Sequence, residues 1–299
     1  MIKTLIIITG PTGIGKTDLS IELAQMLGTY IISSDSRQIY KELKIGVARP
    51  SDEDLKKVRH FMIANKSIYD YYSAGKYELE ALDILEDIFQ RKNTALLVGG
   101  SGMYIDAVCK GIDALPDVEP EIRKQLTEKY ENEGIESLRF DLKRLDPEHY
   151  EVVDLNNPKR LLRAVEVCIQ TGKTYTSFLS NPDKKRDFNI LKIGLERDRK
   201  ELYERINKRV DLMIDEGLQE EAIQFLKDKD LNSLNTVGYK ELFSYFEGKY
   251  DLKEAVRLIK RNSRRYAKRQ ITWFKRDKDY VWFHPDDKQA IFAFILKNI

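Results

Sequence analysis

The sequence is poor in the residues that build metal clusters and disulfide scaffolds. Among 299 residues it has two cysteines, Cys109 and Cys168, and three histidines that are scattered along the chain. Zinc sites and disulfide frameworks need several such residues at short spacings, so neither explains this fold. Both cysteines lie in apolar, helical-looking contexts, and we expect them to be core thiols.

Long hydrophobic runs and a strong net charge are also missing. No apolar run reaches the ~18 residues that span a membrane, and no secretory signal pattern stands at the N-terminus. We therefore expect a cytoplasmic protein without a membrane partner. The net charge is only +2 although 33% of the residues are charged, so any strongly basic surface must be local.

One motif is present in a context that gives it meaning. Residues 10–17 read GPTGIGKT, which matches Gly-x-x-x-x-Gly-Lys-Ser/Thr of nucleotide-binding and ATP-binding proteins. The strand-like TLIIIT precedes it and a helical pattern follows, so backbone N–H groups and a helix N-terminus can surround phosphate. A glycine turn without a ligand is the plain alternative. The predicted phosphate-binding residues are Gly10, Pro11, Thr12, Gly13, Ile14, Gly15, Lys16 and Thr17.

The element pattern predicts an α/β fold with an inserted helical domain. Strand and helix signals alternate over the first part of the chain and return at 188–196, which favours a parallel sheet flanked by helices on both faces. Between them, helical segments punctuated by proline and glycine predict an insertion. We assign residues 1–115 and 188–299 to a core domain like that of P-loop NTPases, and 116–187 to the insertion.

Asp35 is the acidic residue expected at a strand end beside the phosphate loop. The strand TALLV, by contrast, ends in glycines and lacks the carboxylate that holds magnesium in motor ATPases and GTPases. Asp35 is suited to binding magnesium or to acting as a general base. Capping the following turn is the alternative role.

Three basic features remain. Residues 253–278 hold eleven Lys or Arg and two acids, which favours a nucleic-acid track over a solvated amphipathic helix. Arg205 and Arg209 share a helix face that could clamp a diphosphate, with ion pairs to nearby acids as the alternative. Arg160 and Arg163 form a similar pair on the insertion.

These segments together resemble the tRNA dimethylallyltransferase (tRNA isopentenyltransferase) family of bacterial type. The matching stretches run in family order over nearly the whole chain, and they include GPTGIGKT, DSRQIY, GGSGMY, NPKRLLRAVE, LYERINKRVD, VGYKEL and YAKRQITWF. The resemblance implies transfer of a dimethylallyl group from dimethylallyl diphosphate to the exocyclic amine of the adenosine 3′ of the anticodon. It also implies that the phosphate loop holds the prenyl diphosphate.

The resemblance assigns roles to individual residues. It implies catalysis by Asp35 as base and by Lys16, Thr17 and Arg209 at the diphosphate, with Thr17 as the ligand of Mg²⁺ and Arg205 as the alternative arginine. It implies binding of the tRNA anticodon stem-loop. The sequence does not fix the oligomeric state, and we expect a monomer. The implied tRNA-binding residues are Asp35, Ser36, Arg37, Gln38, Ser101, Arg123, Lys159, Arg160, Leu161, Leu162, Arg163, Val237, Gly238, Tyr239 and Lys240.

Three rival functions share parts of this pattern. An adenylate isopentenyltransferase would prenylate free AMP, ADP or ATP, but it would need neither the insertion nor the basic segment. A small-molecule P-loop kinase would transfer phosphate from ATP. An RNA-binding regulator with a degenerate phosphate loop would bind tRNA without turnover.

Overall fold

The computed structural model describes residues 3–113, 115–179 and 184–299, and the chain divides into two compact units. The first, which we call the sheet unit, consists of Met1–Lys110 and Lys185–Ile299. The second, the helical unit, is Gly111–Lys184. The chain therefore leaves the sheet unit once and returns to it.

The sheet unit is built on a parallel sheet. Its strand order is β3-β2-β4-β1-β5-β6, and every pair of neighbours is parallel. This confirms the predicted fold class. The strands are β1 (Thr4–Thr9), β2 (Ile31–Ser33), β3 (His60–Phe61), β4 (Thr94–Gly99), β5 (Asn189–Leu195) and β6 (Val281–Phe283).

Helices cover both faces of this sheet. Because side chains alternate along a strand, Leu5 and Ile7 of β1 join one core while Ile6 and Ile8 join the other. The helices of the sheet unit are α1 (Lys16–Leu27), α2 (Asp52–Lys57), α3 (Ala74–Phe89), α4 (Gly102–Lys110), α9 (Arg199–Asp215), α10 (Leu218–Ile223), α11 (Tyr239–Phe246), α12 (Leu252–Phe274) and α13 (Lys288–Asn298).

The helical unit has a small core of its own. Leu138, Leu142, Leu161 and Val165 are fully buried in it, at the helical spacings that the sequence shows. Its helices are α5 (Pro120–Glu133), α6 (Ile135–Leu145), α7 (Pro147–Val152) and α8 (Pro158–Thr171). Proline occupies the first turn of α5, α7 and α8, where its missing N–H has no helical partner to lose.

Two further expectations can be compared with the structure. Cys109 and Cys168 are free and buried, as predicted. Across the part of the chain that the structure describes, no helix is both long and apolar enough to span a bilayer.

Candidate active site

The phosphate loop connects the end of β1 to the start of α1. Its glycines Gly10, Gly13 and Gly15 have φ values of 152°, 79° and 107°. Residues with a Cβ rarely adopt such angles, so glycine is required for the chain to turn this tightly before the helix. The loop thus brings backbone N–H groups and the N-terminus of α1 to one place, which suits an anion.

Several basic side chains hold the carbonyl groups of this loop. Lys16 Nζ donates to the carbonyl oxygens of Gly10 and Pro11 at 2.9 and 3.0 Å. Arg205 Nε donates to the Gly13 oxygen at 3.0 Å, and Arg197 Nε to the Ile14 oxygen at 3.2 Å. Because the carbonyls are tied back in this way, the loop is shaped before any ligand arrives.

Lys16 is the most perturbed cation of the loop. Burial lowers the pKa of its ammonium group to about 8, Asp35 acts in the opposite direction, and Arg209 lowers it further. Asp35 and Arg209 are thus near enough to Lys16 to act on its charge, and Arg209 also reaches Thr12 of the loop. A dianion bound here would favour the charged form of Lys16.

The two arginines of α9 differ in their surroundings. Arg209 is partly buried, and its Nη1 and Nη2 lie 3.3 Å from Thr12 Oγ1 and 3.5 Å from the Ala48 oxygen. Arg205 is exposed, and among the described residues its one hydrogen-bond partner is the loop carbonyl of Gly13. Neither forms an ion pair within the described ranges, so the alternative of paired helix-surface arginines does not apply.

Asp35 follows β2 and caps the turn after it, which is the alternative role considered for this residue. Its Oδ1 accepts hydrogen bonds from the backbone N–H groups of Arg37 at 2.9 Å and Gln38 at 3.3 Å. Among the described residues no hydrogen bond engages Oδ2. One carboxylate oxygen therefore fixes the turn, which leaves the other oxygen to accept a proton.

Ser101 lies beside Asp35 because β2 and β4 approach each other closely. Ser101 Oγ accepts the N–H of Ser36 at 2.9 Å. A Cβ at Gly99 would lie 2.4 Å from the backbone of Ser34, which explains why no carboxylate follows TALLV. Tyr266 of α12 also reaches this place: burial raises its pKa to about 12, Asp35 raises it too, and a hydrogen bond with Ser101 acts against both.

Arg37 and Gln38 brace neighbouring loops. The Arg37 guanidinium donates to the carbonyl oxygens of Asn232, Ser233 and Asn235, at 2.8, 3.0 and 3.4 Å. Gln38 Nε2 donates to the oxygens of Val47 and Ala48, at 3.2 and 2.9 Å. The Ala48 carbonyl thus lies between Gln38 and Arg209, which connects the segment after Asp35 to the phosphate loop.

Gln270 is a site residue that the sequence analysis did not identify. Its Oε1 accepts the N–H of Thr12 at 2.9 Å, and its Nε2 donates to the Gly100 oxygen at 2.9 Å. It is 6% exposed and lies on the buried stripe of α12 between Ala267 and Phe274. A polar residue within that apolar stripe was the signal that could have revealed it.

Most of the basic segment, residues 253–278, is helical as predicted and lies in α12. Ion pairs neutralise part of its positive charge. Arg257 pairs with Glu254, and Lys260 with Asp211. Of the predicted core positions, Ile259 and Ala267 are fully buried, while Val256 and Ile271 are half-buried. Basic side chains remain on the exposed side of α12, at Arg265, Lys268 and Arg269.

The predicted tRNA-binding residues of the helical unit fall into two groups, one exposed and one paired or buried. Lys159 and Arg160 are exposed at the start of α8. Arg123 forms a bidentate pair with the buried Glu166, at 2.8 and 2.9 Å, and Arg163 Nη1 lies 3.8 Å from the same carboxylate. In the same stretch Leu161 is fully buried and Leu162 is partly buried, so Leu161 cannot touch RNA directly and instead anchors α8.

A similar division holds for residues 237–240. Tyr239 is fully buried, with its hydroxyl on Glu221, and Gly238 is buried at the start of α11. Neither can offer a side chain to RNA, which corrects the direct-contact interpretation of Tyr239. Val237 is partly buried, and Lys240 is exposed.

A magnesium site would need ligands from outside the protein. The described residues contain no group of three or more His, Cys, Asp or Glu that could hold a metal ion. Thr17 is exposed at the first turn of α1, next to the phosphate loop. Mg²⁺ in phosphate sites uses one or two protein oxygens together with phosphate oxygens and water, and this donor set fits that pattern.

Known proteins resemble this chain over its whole length. The model of the IPP transferase family matches residues 38–277. The tRNA dimethylallyltransferase 1 of Bacteroides fragilis (strain YCH46) is 54% identical over 297 residues, which cover 99% of both chains. The tRNA dimethylallyltransferase 1 of Porphyromonas gingivalis (strain ATCC BAA-308 / W83) is 50% identical over 293 residues, with 98% of both chains covered.

Solved structures agree with these relatives. The full-length tRNA isopentenylpyrophosphate transferase of Bacillus halodurans is 34% identical, with a TM-score of 0.72 over 99% of this chain and 96% of its own. A eukaryotic dimethylallyltransferase acting on tRNA shares the fold, with a TM-score of 0.78 at 24% identity over 95% of this chain and 74% of its own. With the phosphate loop and Asp35 at one crevice of a parallel sheet, the chain belongs to the IPP transferase family.

Proposed function

We propose that this protein is a tRNA dimethylallyltransferase. It transfers the dimethylallyl group of dimethylallyl diphosphate to the exocyclic amine of the adenosine 3′ of the anticodon and releases diphosphate. The observation that carries the proposal is the convergence of Lys16, Arg209 and Asp35 at the end of one phosphate loop. Relatives of about 50% identity bear the same name, which supports it.

The cations of the crevice suit a diphosphate leaving group. When the bond between the allylic carbon and the diphosphate oxygen breaks, the electron pair stays on the diphosphate. Lys16, Arg209 and the N–H groups at the start of α1 can stabilise that charge, since they are already positioned. We infer that Arg209 is the main diphosphate arginine, because it is partly buried beside Thr12 while Arg205 is exposed.

Asp35 is the group that can take up the proton. The adenine amine is a weak nucleophile because its lone pair is delocalised into the ring. As the carbon–nitrogen bond forms, the nitrogen must lose a proton, and a carboxylate oxygen of Asp35 can accept it. The turn that Oδ1 caps holds Asp35 in place for this step.

We propose that Mg²⁺ assists the reaction by neutralising charge on the diphosphate. We propose that Thr17 holds Mg²⁺ together with diphosphate oxygens, and that the ion supplies further neutralisation of the leaving group when bound. The chain's own residues then have separate tasks. Lys16 and Arg209 bind and orient the diphosphate, and Asp35 receives the proton.

The acceptor must enter the crevice as an unstacked base. A base within an anticodon loop cannot reach Asp35 while it is stacked, so we propose that it is flipped out. We propose that Ser36, Gln38 and Ser101 contact this base, because Ser36 and Gln38 follow Asp35 and the Ser101 hydroxyl accepts the N–H of Ser36. We propose that exposed cations such as Lys159, Arg160 and Lys240 contact the tRNA backbone, and that the enzyme acts as a cytoplasmic monomer.

Mass spectrometry of two acceptors tests this function. An unmodified anticodon stem-loop and free AMP are incubated separately with enzyme, dimethylallyl diphosphate and Mg²⁺. We expect one C5 prenyl unit on the stem-loop and none on AMP, and Lys16→Ala should abolish the gain. A gain on AMP alone would make the protein an adenylate isopentenyltransferase. Phosphorylation of an added substrate by ATP would make it a kinase.

A further inference from the structure

A second cationic depression lies on the sheet unit, near α2 and β3. It is a cleft of about 470 Å³ whose walls include Leu55 and Ile63. Its basic members are Arg49, Lys56, Arg59 and His60. We call it the basic cleft. The mechanism proposed above uses none of these residues.

The three strong cations of the basic cleft are not neutralised by the protein. Within residues 3–113, 115–179 and 184–299, Arg49, Lys56 and Arg59 form no ion pair. Cations next to them in sequence do: Lys44 pairs with Asp52, and Lys57 with Asp54. Asp54 acts on His60 of the cleft and pairs with Lys57, but among the described residues it forms no ion pair with these three cations, so their grouping favours an anionic ligand.

Arg49 is also poorly satisfied by hydrogen bonds. Its Nη1 lies 3.4 Å from the Lys41 oxygen, and its Nε is buried without a partner among the described residues. A guanidinium offers five N–H donors, so most of them remain uncommitted to the protein. Arg59, in turn, is held in place over the ring of Phe61, at 4.5 Å from the ring centre.

Hydrogen bonds connect the basic cleft to the segment that follows Asp35. The N–H of Ala64, a residue of the cleft wall, donates to the Gln38 oxygen at 2.9 Å. Arg49 follows Ala48, whose carbonyl accepts from Gln38 Nε2. Hydrogen bonds of Gln38 therefore connect the cleft wall at Ala64 to Ala48, whose carbonyl oxygen also lies 3.5 Å from Arg209 Nη2.

Unusual backbone angles surround the same cleft. In the described ranges, the non-glycine residues with positive φ are Ala48, Met62 and Ala64, at 48°, 62° and 51°. Such angles are unfavourable for residues with a Cβ and persist where the surrounding structure fixes them, often at ligand sites. Met62 is buried in the core, while Ala64 lines the cleft and Ala48 directly precedes Arg49, so two of the three angles belong to the backbone of the cleft.

We propose that the basic cleft binds a phosphodiester of the RNA strand next to the target adenosine. This inference rests on the proposed function. Flipping a base rotates the sugar-phosphate backbone, and a phosphate gripped beside the base would hold the strand in that form. The cleft is open and its cations Lys56 and Arg59 are exposed, which suits a passing strand. A free phosphate ion could bind the same cations, so the experiment must distinguish it from a phosphodiester of RNA.

The salt dependence of RNA binding tests the proposal. Lys56→Gln/Arg59→Gln removes two cations while keeping part of each side chain. The dissociation constant of the stem-loop is measured between ~0.05 and ~0.3 M salt, where each lost contact to a single-strand phosphate lowers the slope by about 0.7. At ~0.1 M salt the same loss corresponds to about fivefold weaker binding. For this variant we expect a smaller salt slope and a higher dissociation constant for the stem-loop. The KM for dimethylallyl diphosphate should not change.

Two variants control for charge and folding. Lys227→Gln/Lys297→Gln removes two exposed cations outside the basic cleft, so it causes the same change in net charge. It should leave the slope near the wild-type value. Arg59→Lys keeps the charge of the cleft and should also keep the slope. The urea unfolding midpoint of each variant shows whether the fold is preserved.

The outcomes separate the possible ligands. If the cleft variant matches the Lys227→Gln/Lys297→Gln control in slope and dissociation constant, the proposal is wrong. Calorimetric titration with inorganic phosphate tests whether the cleft binds a free phosphate ion instead. If the cleft variant loses phosphate binding but keeps the wild-type salt slope for RNA, the RNA assignment is wrong. Prenyl transfer by the wild-type enzyme is measured on the same RNA. Its absence would refute the proposed function, while the slope still decides whether the cleft binds RNA.

Discussion

Gln270→Leu should disturb the phosphate loop, which the Gln270 side chain contacts directly. The Gln270 amide bonds the Thr12 N–H and the Gly100 oxygen, both at 2.9 Å, and is 6% exposed. Leucine has a similar size but can make neither hydrogen bond. The variant therefore leaves a backbone donor and a backbone acceptor without their partner, at the point where α12 meets the loop.

The size of the effect follows from these two groups. A buried polar group that loses its partner costs about 1–3 kcal/mol, so the two groups together could lower the free energy of unfolding by about 2–6 kcal/mol. The loop can recover part of this cost by moving Thr12, whose Oγ1 lies 3.3 Å from Arg209 Nη1. If about 1.4 kcal/mol of diphosphate positioning is lost, the KM for dimethylallyl diphosphate rises about tenfold.

Steady-state kinetics at saturating RNA, together with urea unfolding, measure both effects. Thr272→Ala is the matched control, because Thr272 is exposed on the same helix and its hydroxyl donates to the Lys268 oxygen within its own helix. It should leave stability and KM nearly unchanged. A Gln270→Leu enzyme with wild-type stability and wild-type KM would refute the view that α12 positions the phosphate loop.

Three more predictions concern the crevice itself. Asp35→Ala should lower kcat by about 10²–10⁴ while changing the dissociation constant of RNA much less, and equal losses in both would remove Asp35 as the base. Arg209→Ala should raise the KM for dimethylallyl diphosphate by about 10- to 100-fold, since charge-assisted hydrogen bonds are lost; a larger effect in Arg205→Ala would reverse the assignment of the two arginines. Lys16 has a lowered pKa of about 8, so above that pH the free enzyme must gain a proton to bind the diphosphate, and KM should rise about tenfold per pH unit. In Lys16→Arg the KM should stay flat across this range, and an equally steep rise there would assign the titration to another group.

Local sequence was sufficient for the main elements of the sheet unit. The phosphate loop, β1 and α1 are contiguous, so one motif with its flanks predicts all three. Asp35 could be placed in the same crevice because parallel strands end at one edge of the sheet. The segment between β2 and α3 was not predicted, since β3 has only two residues and α2 only six, too few for a periodic pattern.

Contacts between residues that are far apart in the chain could not be predicted from the sequence. Gln270 lies 258 positions from Thr12 and 170 from Gly100, and no spacing rule connects them. Arg37 binds main-chain oxygens, which every residue has, so its partners leave no trace in the sequence. The family resemblance marked Leu161 and Tyr239 as part of RNA-binding stretches, but only the fold shows that both are buried.

The position of the transferred group tests the central claim most directly. An unmodified full-length tRNA is incubated with enzyme, dimethylallyl diphosphate and Mg²⁺, digested with a nuclease, and sequenced by tandem mass spectrometry. The account predicts a single C5 unit on the exocyclic amine of the adenosine 3′ of the anticodon, which Asp35→Ala greatly reduces. A C5 unit at another nucleotide, or none in the tRNA, would contradict it.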